Sequence, residues 1–188
     1  GRTVGRGGVS RDLDSARSGR VVTPHTRVLL AWPWLAEKSY EPLSSNRRRF
    51  KLPPKARSKR VFVCFEGAIS ACPVWINGQR LGEYKGGYTP FSFDLTPHLD
   101  LDGENVLAVD LDSSERPDIP PFGYQIDYLT FGGIYREVSL RIVPPTFIEN
   151  VFAKPKDVLT DHPSLDVDCY IQRVDASREP LTLEISLR

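Results

Sequence analysis

An all-β protein, built as a jelly-roll β-sandwich, is what this 188-residue sequence predicts, and three observations carry the expectation. From Arg60 onward the chain falls into short runs rich in Val, Ile, Phe and Tyr, set off by turn residues. Asn77-Gly78 separates two such runs and suits a type I′ hairpin turn, because both residues accept positive φ. No stretch has the length and 3.6-residue period of a substantial helix.

The elements follow in order. Residues 60–66 read as a strand with Val61, Val63 and Phe65 on one face and Phe62 and Cys64 on the other. Residues 73–76 form the next strand, with Trp75 assigned to the core, and residues 79–84 return antiparallel after the Asn77-Gly78 turn. Residues 91–95 are a further strand. Thr96-Pro97-His98-Leu99 suits one helical turn with Thr96 as N-cap and Pro97 at the first helical position. Residues 105–112 alternate cleanly, and Leu107, Val109 and Leu111 are the expected core face. Residues 113–129, with three prolines and several aromatics, form a long loop of the kind that usually carries function. Residues 134–143 are expected to close the domain as one strand.

The expected division is a loose arm over residues 1–20, a complete domain over 21–144 and an incomplete one over 145–188. Pro144-Pro145 marks the boundary, since two prolines cannot continue a strand inside a sheet. Beyond it, residues 147–153, 164–173 and 181–187 alternate as three strands. Three strands leave open edges, which points to a shortened chain, a proteolytic fragment, or a homo-oligomer that covers the edge.

Composition narrows the function. A net charge of +1 gives no field that would favour nucleic acid or an anionic membrane as partner. Arg47-Arg48-Arg49 is the one dense basic run and reads as a solvated beginning of a strand rather than a phosphate site. Cys64, Cys72 and Cys169 are odd in number and far apart, and His25, His98 and His162 are isolated, so the sequence indicates no disulfide framework, metal site, cofactor or Ser-His-Asp arrangement. Free thiols, the lack of a signal-peptide pattern and the lack of a membrane-length apolar run make the cytoplasm the expected location, with the periplasm and secretion as alternatives.

Three motifs carry a resemblance. Residues 126–138 read Ile-Asp-Tyr-Leu-Thr-Phe-Gly-Gly-Ile-Tyr-Arg-Glu-Val, residues 74–78 Val-Trp-Ile-Asn-Gly, and residues 86–96 Gly-Gly-Tyr-Thr-Pro-Phe-Ser-Phe-Asp-Leu-Thr. Together they resemble the N-terminal sugar-binding domain of glycoside hydrolase family 2, the β-galactosidase and β-glucuronidase family. The resemblance implies a galactose-binding-like jelly roll followed by the opening strands of an immunoglobulin-like sandwich. It is close over residues 60–143 and looser elsewhere, with an unusual apolar run at residues 28–35.

Asp127 is the foremost candidate site residue. On the residues alone it is equally a sugar contact among Phe122, Tyr124 and Tyr128, or an Asp that caps its own loop. By resemblance it is a substrate-binding acid that reaches toward the active site of a separate barrel domain, and it is neither proton donor nor nucleophile. Tyr124 and Tyr128 are candidate stacking partners, and Tyr88, in the Gly86-Gly87 loop with Tyr84, offers a secondary glycan surface. The bland readings are preferred for Gly132 and Gly133, as a bulge or close backbone approach, for Asn77, as a turn, and for Arg136, as the partner of a nearby acid.

Glycoside hydrolysis with retention needs two carboxyls about 5–5.5 Å apart. In the family both are glutamates of the barrel, the acid following an Asn, and this sequence contains no Asn-Glu dipeptide. The resemblance therefore implies a noncatalytic, β-galactoside-binding portion of a larger enzyme. Two alternatives remain: a short glycosidase that uses carboxylates such as Asp110, Asp112, Asp118 or Asp127, and a structural sandwich whose edges mediate oligomerisation.

Overall fold

The computed structural model describes residues 25–26, 43–114, 116–120, 132–173 and 180–186. Its strands are β1 (His25–Thr26), β2 (Leu43–Phe50), β3 (Arg60–Phe65), β4 (Ser70–Ile76), β5 (Gln79–Gly86), β6 (Phe91–Asp94), β7 (Asn105–Asp112), β8 (Gly133–Ile134), β9 (Val138–Val143), β10 (Thr146–Lys156) and β11 (Ser164–Arg173). Short 3-10 turns occupy Pro54–Ala56 and Thr96–His98, and no α-helix occurs among the described residues. None of their helices is long and apolar enough to cross a membrane. The chain divides into two compact units after Ile142.

The first unit is a β-sandwich. One sheet has strand order β2-β7-β4-β5 and the other β6-β3-β9, while β1 pairs with β8 in a small separate ladder. Strand β3 alternates as its sequence implies: Val61, Val63 and Phe65 are buried and Phe62 and Cys64 are partly open. Against them the other sheet presents Cys72, Val74 and Ile76 from β4 and Leu107, Val109 and Leu111 from β7. Phe65 stacks on Phe91 with ring centroids 4.7 Å apart, which ties β3 to β6 within the core. Burial of this kind is the main favourable term in folding. It also silences two thiols: burial pushes the Cys72 thiol up to about 12, aided by Glu83, and raises Cys64 despite the opposing charge of Arg141.

The β4–β5 hairpin turns at Asn77 and Gly78, with φ of 49° and 83°, the left-handed pair that a type I′ turn requires. Asn77 does more than turn. Its backbone N–H donates to the Val106 carbonyl at 2.9 Å and its side-chain oxygen accepts from the Val106 N–H at 2.8 Å, so the residue extends the β4–β7 ladder beyond its last strand pair. Its Nδ2 donates to Asn105 Oδ1 and to the His98 carbonyl, each at 2.8 Å. Asn105, fully buried, also accepts from the Asp100 N–H at 2.8 Å and donates to the Asp100 carbonyl at 2.7 Å. Every polar atom of that side chain is therefore matched, which is the condition for keeping an amide inside a core.

Several expectations need correction. Strand β4 begins at Ser70, three residues before the expected start, because Ser70, Ala71 and Cys72 are small, buried residues that pair with Gly86, Lys85 and Tyr84 and show no apolar alternation. Trp75 is not core: it lies between buried Val74 and Ile76 on the opposite face of β4, opposite Ala108 and Arg80, and remains partly exposed. Thr96 is not the N-cap; Leu95 holds that position without a side-chain cap, and Asp94 Oδ1 accepts from the Thr96 N–H at 2.9 Å. The residues expected to form one strand from 134 to 143 form β8 and β9, separated at 135–137, because the chain changes partner from β1 to the β3 sheet. Strand β2 extends the basic run into eight residues paired with β7, at an edge where its Ser, Asn and Arg side chains hide the strand pattern.

In the second unit β10 and β11 pair antiparallel, with a bulge between Ile148 and Asn150. Register places Ile148, Val151, Ala153 and Pro155 with Ile171, Cys169, Val167 and Leu165 on one apolar face. The other face carries the Lys154–Asp168 and Lys156–Asp166 ion pairs and the Phe152–Tyr170 edge contact at 5.9 Å. Residues 181–186 form no strand despite their alternation, and have no ladder partner among the described residues.

Two measurements check these assignments. Asn105→Ala removes three hydrogen bonds centred on a buried amide, from Asn77 and the Asp100 backbone, and is expected to lower unfolding free energy by about 1–3 kcal/mol in urea. Asp94 is the second case: burial alone would raise its carboxyl, but the bonds from Arg60 and Thr96 outweigh that and hold it below its ordinary value. A depressed folded value stabilises fully above the unfolded value of about 3.9, and the contribution is lost as the pH falls from there through the folded value. The stability advantage of the natural chain over Asp94→Asn is therefore expected to shrink between about pH 5 and about pH 3, as read by urea midpoints at each pH.

Candidate functional site

Three chain segments meet at one end of the first unit: residues 66–69, which link β3 to β4; residues 86–89, which follow β5; and residues 132–137, which include β8. Gly133, at φ 111°, exchanges two backbone hydrogen bonds with Ile69, donating at 3.3 Å and accepting at 3.1 Å. On the other strand edge it pairs with Thr26, and Ile134 pairs with His25. The positive φ of Gly133 suits glycine, which has no Cβ to strain there.

The lack of a Cβ also matters at other glycines of this junction. A Cβ on Gly87 would lie 2.9 Å from the Ile69 side chain, and one on Gly67 would lie 2.7 Å from the Tyr135 hydroxyl and 3.0 Å from Arg136 Cδ. The Tyr135 hydroxyl donates to the Gly87 carbonyl. Burial raises the Tyr135 phenol above its ordinary value, Arg136 opposes and Tyr84 adds to the rise, so the donor proton is retained. Arg136 Nη1 reaches the carbonyls of Glu66 at 3.5 Å and Tyr88 at 3.4 Å, and its guanidinium lies 5.4 Å from the Tyr135 ring centroid. Arg136 was expected to pair with an acid. Among the described residues its hydrogen bonds go to these two carbonyls, and the Asp127 segment lies outside them.

Tyr88 projects from this junction with 46% of its surface exposed, and its ring meets Tyr135 edge-on at 6.3 Å and 64°. Tyr84 faces inward, stacked on Phe91 at 3.9 Å, with its hydroxyl on Thr89. Asp127, Tyr124 and Tyr128 lie outside the described residues. Gly132, where the described chain resumes after that segment, is the immediate neighbour of Gly133, so the segment carrying Asp127 rejoins the sandwich at the junction that presents Tyr88.

Of the four carboxylates considered for a self-contained glycosidase, the three that are described, Asp110, Asp112 and Asp118, bond to neighbouring side chains. Asp110 accepts from Ser45 Oγ at 2.5 Å. Asp112 accepts from the Ser114 N–H at 3.0 Å and from its hydroxyl at 2.5 Å, with Arg116 3.8 Å away. Asp118 takes hydrogen bonds from Arg116 and Lys85, each at 3.0 Å, and these hold its carboxyl far below the ordinary range. A general acid needs the opposite shift. Among the described residues no group of three or more His, Cys, Asp or Glu is placed to hold a metal ion.

Sequence reasoning missed Tyr135 and the role of Arg136. Gly86-Gly87 and Gly132-Gly133 were the available signals, yet they reveal a close approach without naming what approaches.

The fold agrees with the comparisons. Residues 31–144 match the pattern described as glycosyl hydrolases family 2, sugar binding domain. A β-galactosidase of Thermoanaerobacter pseudethanolicus is 41% identical over 142 residues, 75% of this chain and 19% of that protein. A β-galactosidase of Thermoanaerobacterium thermosulfurigenes is 39% identical over 165 residues, covering 87% of this chain and 23% of its own. Among solved structures, a calcium-binding mutant of Bacteroides uniformis β-glucuronidase 2 superposes with a TM-score of 0.77 at 30% identity, over 87% of this chain and 20% of that one. The chain belongs to glycosyl hydrolase family 2. It spans about a fifth of the length of these two β-galactosidases.

The junction makes a direct prediction. Gly67→Ala forces a Cβ into the Tyr135 hydroxyl and is expected to destabilise the fold by about 1–3 kcal/mol through overpacking. Gly78→Ala meets no atom within 4 Å and suffers only from its φ of 83°, so it is expected to cost about 1–2 kcal/mol. Urea unfolding of both variants, with hydrogen exchange of residues 66–69 and 86–89, separates the effects: only Gly67→Ala disturbs the junction.

Proposed function

We propose that this chain is the noncatalytic sugar-binding portion of a β-galactosidase-like family 2 glycoside hydrolase, and that it supplies carbohydrate contacts to an active site whose chemistry resides in a barrel domain. Asp127 receives hydrogen bonds from adjacent sugar hydroxyls, Tyr124 and Tyr128 stack on the sugar, and Tyr88 forms an outer aromatic edge. The observation that carries the reading is the family match over residues 31–144, which spans both the Asp127 segment and the Tyr88 junction. Residues 145–188 are assigned to the beginning of an immunoglobulin-like domain.

Physical chemistry supports the division of labour. A carboxylate in an aromatic loop suits a hydroxyl-rich ligand, because the rings cover the apolar face of a pyranose while the acid accepts its equatorial donors. Hydrolysis demands a proton donor kept protonated near neutrality and a nucleophile across the bond. Asp118 is held ionised by Arg116 and Lys85, the opposite of what a proton donor needs, while Asp110 and Asp112 accept from Ser45 and Ser114.

The test is a titration of the 188-residue chain with methyl β-galactoside and methyl β-glucuronide by NMR, beside a panel of nitrophenyl glycosides. Saturable binding in the millimolar range is expected for at least one sugar, reduced about tenfold or more by Asp127→Ala as a charge-assisted contact is lost. No turnover above a mock preparation is expected. Turnover that disappears in Asp127→Ala would place the chemistry in this chain and overturn the proposal.

A further inference from the structure

Tyr88 stands on an exposed turn, and a stacking residue is useful only if its ring is held before the sugar arrives. Ordering a free aromatic side chain and its loop on binding costs affinity. Residues 86–89 contain two glycines, one at φ 149°, so the local backbone supplies little stiffness.

The stiffness comes from elsewhere. Tyr135 donates to the Gly87 carbonyl, the bond before Tyr88, and Arg136 donates to the carbonyl of Tyr88 itself, the bond after it. The two contacts bracket the residue. Tyr135 also meets the Tyr88 ring edge-on, and Arg136 lies against the Tyr135 ring while reaching Glu66, so the pair is anchored to the β3–β4 link as well. Gly67 permits the arrangement, because any larger residue there would displace the Tyr135 hydroxyl and the Arg136 stem. Both anchors sit between β8 and β9, a few residues after the segment that bears Asp127.

We infer that Tyr135 and Arg136 are positioning residues for carbohydrate: they clamp the backbone on either side of Tyr88 and hold its ring as a preformed sugar-stacking edge, in register with the end of the Asp127 segment. This rests on the proposed sugar contact of Tyr88 and goes beyond it by assigning the parts that make the contact rigid. Neither residue touches the sugar. The ligand class is a neutral or uronic pyranoside that offers an apolar CH face to Tyr88.

The experiment compares the natural chain with Tyr135→Phe and Tyr88→Ala. Each is measured for thermal midpoint, amide hydrogen exchange over residues 86–89 without sugar, and affinity for methyl β-galactoside and methyl β-glucuronide. Tyr135→Phe keeps the ring and removes only the donor. It is expected to leave the thermal midpoint close to that of the natural chain, to speed exchange at 86–89 by about fivefold, the equivalent of one neutral hydrogen bond, and to weaken sugar binding toward the level of Tyr88→Ala. Unchanged exchange at 86–89 in Tyr135→Phe would show that no clamp exists and overturn the inference. Faster exchange with undiminished affinity, while Tyr88→Ala binds weakly, would overturn it too, since the clamp would then be structural only. Full affinity in Tyr88→Ala, or no binding by the natural chain, would instead sink the underlying sugar contact of Tyr88 and the inference with it.

Discussion

The junction of residues 66–69, 86–89 and 132–137 depends on side chains that pack directly against glycine backbone, and the candidate site is built on that constraint. Gly133 bonds to Ile69 in both directions, Gly87 lies against the Ile69 side chain, and Gly67 leaves space for the Tyr135 hydroxyl. Remove the space and the Tyr135 and Arg136 contacts to the Tyr88 turn cannot form. The same closeness lets the chain leave β8 and enter β9 in a different sheet within four residues. What looks like an interruption of one long strand is the place where the chain changes sheets.

Elsewhere the fold is held by a division between apolar burial and satisfied polar groups. The β3, β4 and β7 faces supply the core, while Asn77 and Asn105 seal its lower end by matching amide to amide and amide to backbone. At β6 the half-buried Arg60–Asp94 pair is shared with Thr96, whose hydroxyl also accepts from the Val61 N–H at 2.9 Å, so strand, turn and neighbouring strand are joined through one carboxylate. Such groups cost free energy to bury and are tolerable because each bond is completed within the fold. They add specificity of register that the apolar core, which is indifferent to small slips, does not provide.

The legible parts of the sequence were those where a local rule is strict. Val61-Phe62-Val63-Cys64-Phe65 alternates because one face must be buried, and Asn77-Gly78 turns because both residues enter the left-handed region. Strand β2 escaped because an edge strand with one solvated face can be written in Ser, Asn and Arg. Trp75 was misplaced because size and apolarity argue for burial, whereas the pleat of β4 had already given the inward positions to Val74 and Ile76. For the site, the Gly-rich loop and Tyr88 were visible as an exposed aromatic, but the carbonyls that Arg136 reaches were not. Only the three-dimensional arrangement brings the Glu66 and Tyr88 carbonyls to Arg136, from 70 and 48 positions away.

By itself the sequence determined the all-β class, the hairpin turn, the inward faces of β3 and β7, and, through three motifs, the family. These are properties of neighbours along the chain, where φ preferences and the two-residue period of a strand act over a few residues. Tertiary structure alone decided the partners of β8 and β9, the extra bonds of Asn77, the outward position of Trp75, and the bracket that Tyr135 and Arg136 place around Tyr88. Those depend on which residues meet across separations of about 28 to 70 positions, as in the bonds from Asn77 to Asn105, from Tyr135 to Gly87 and from Arg136 to Glu66. No local pattern encodes such meetings, since packing of the whole sandwich brings the segments together.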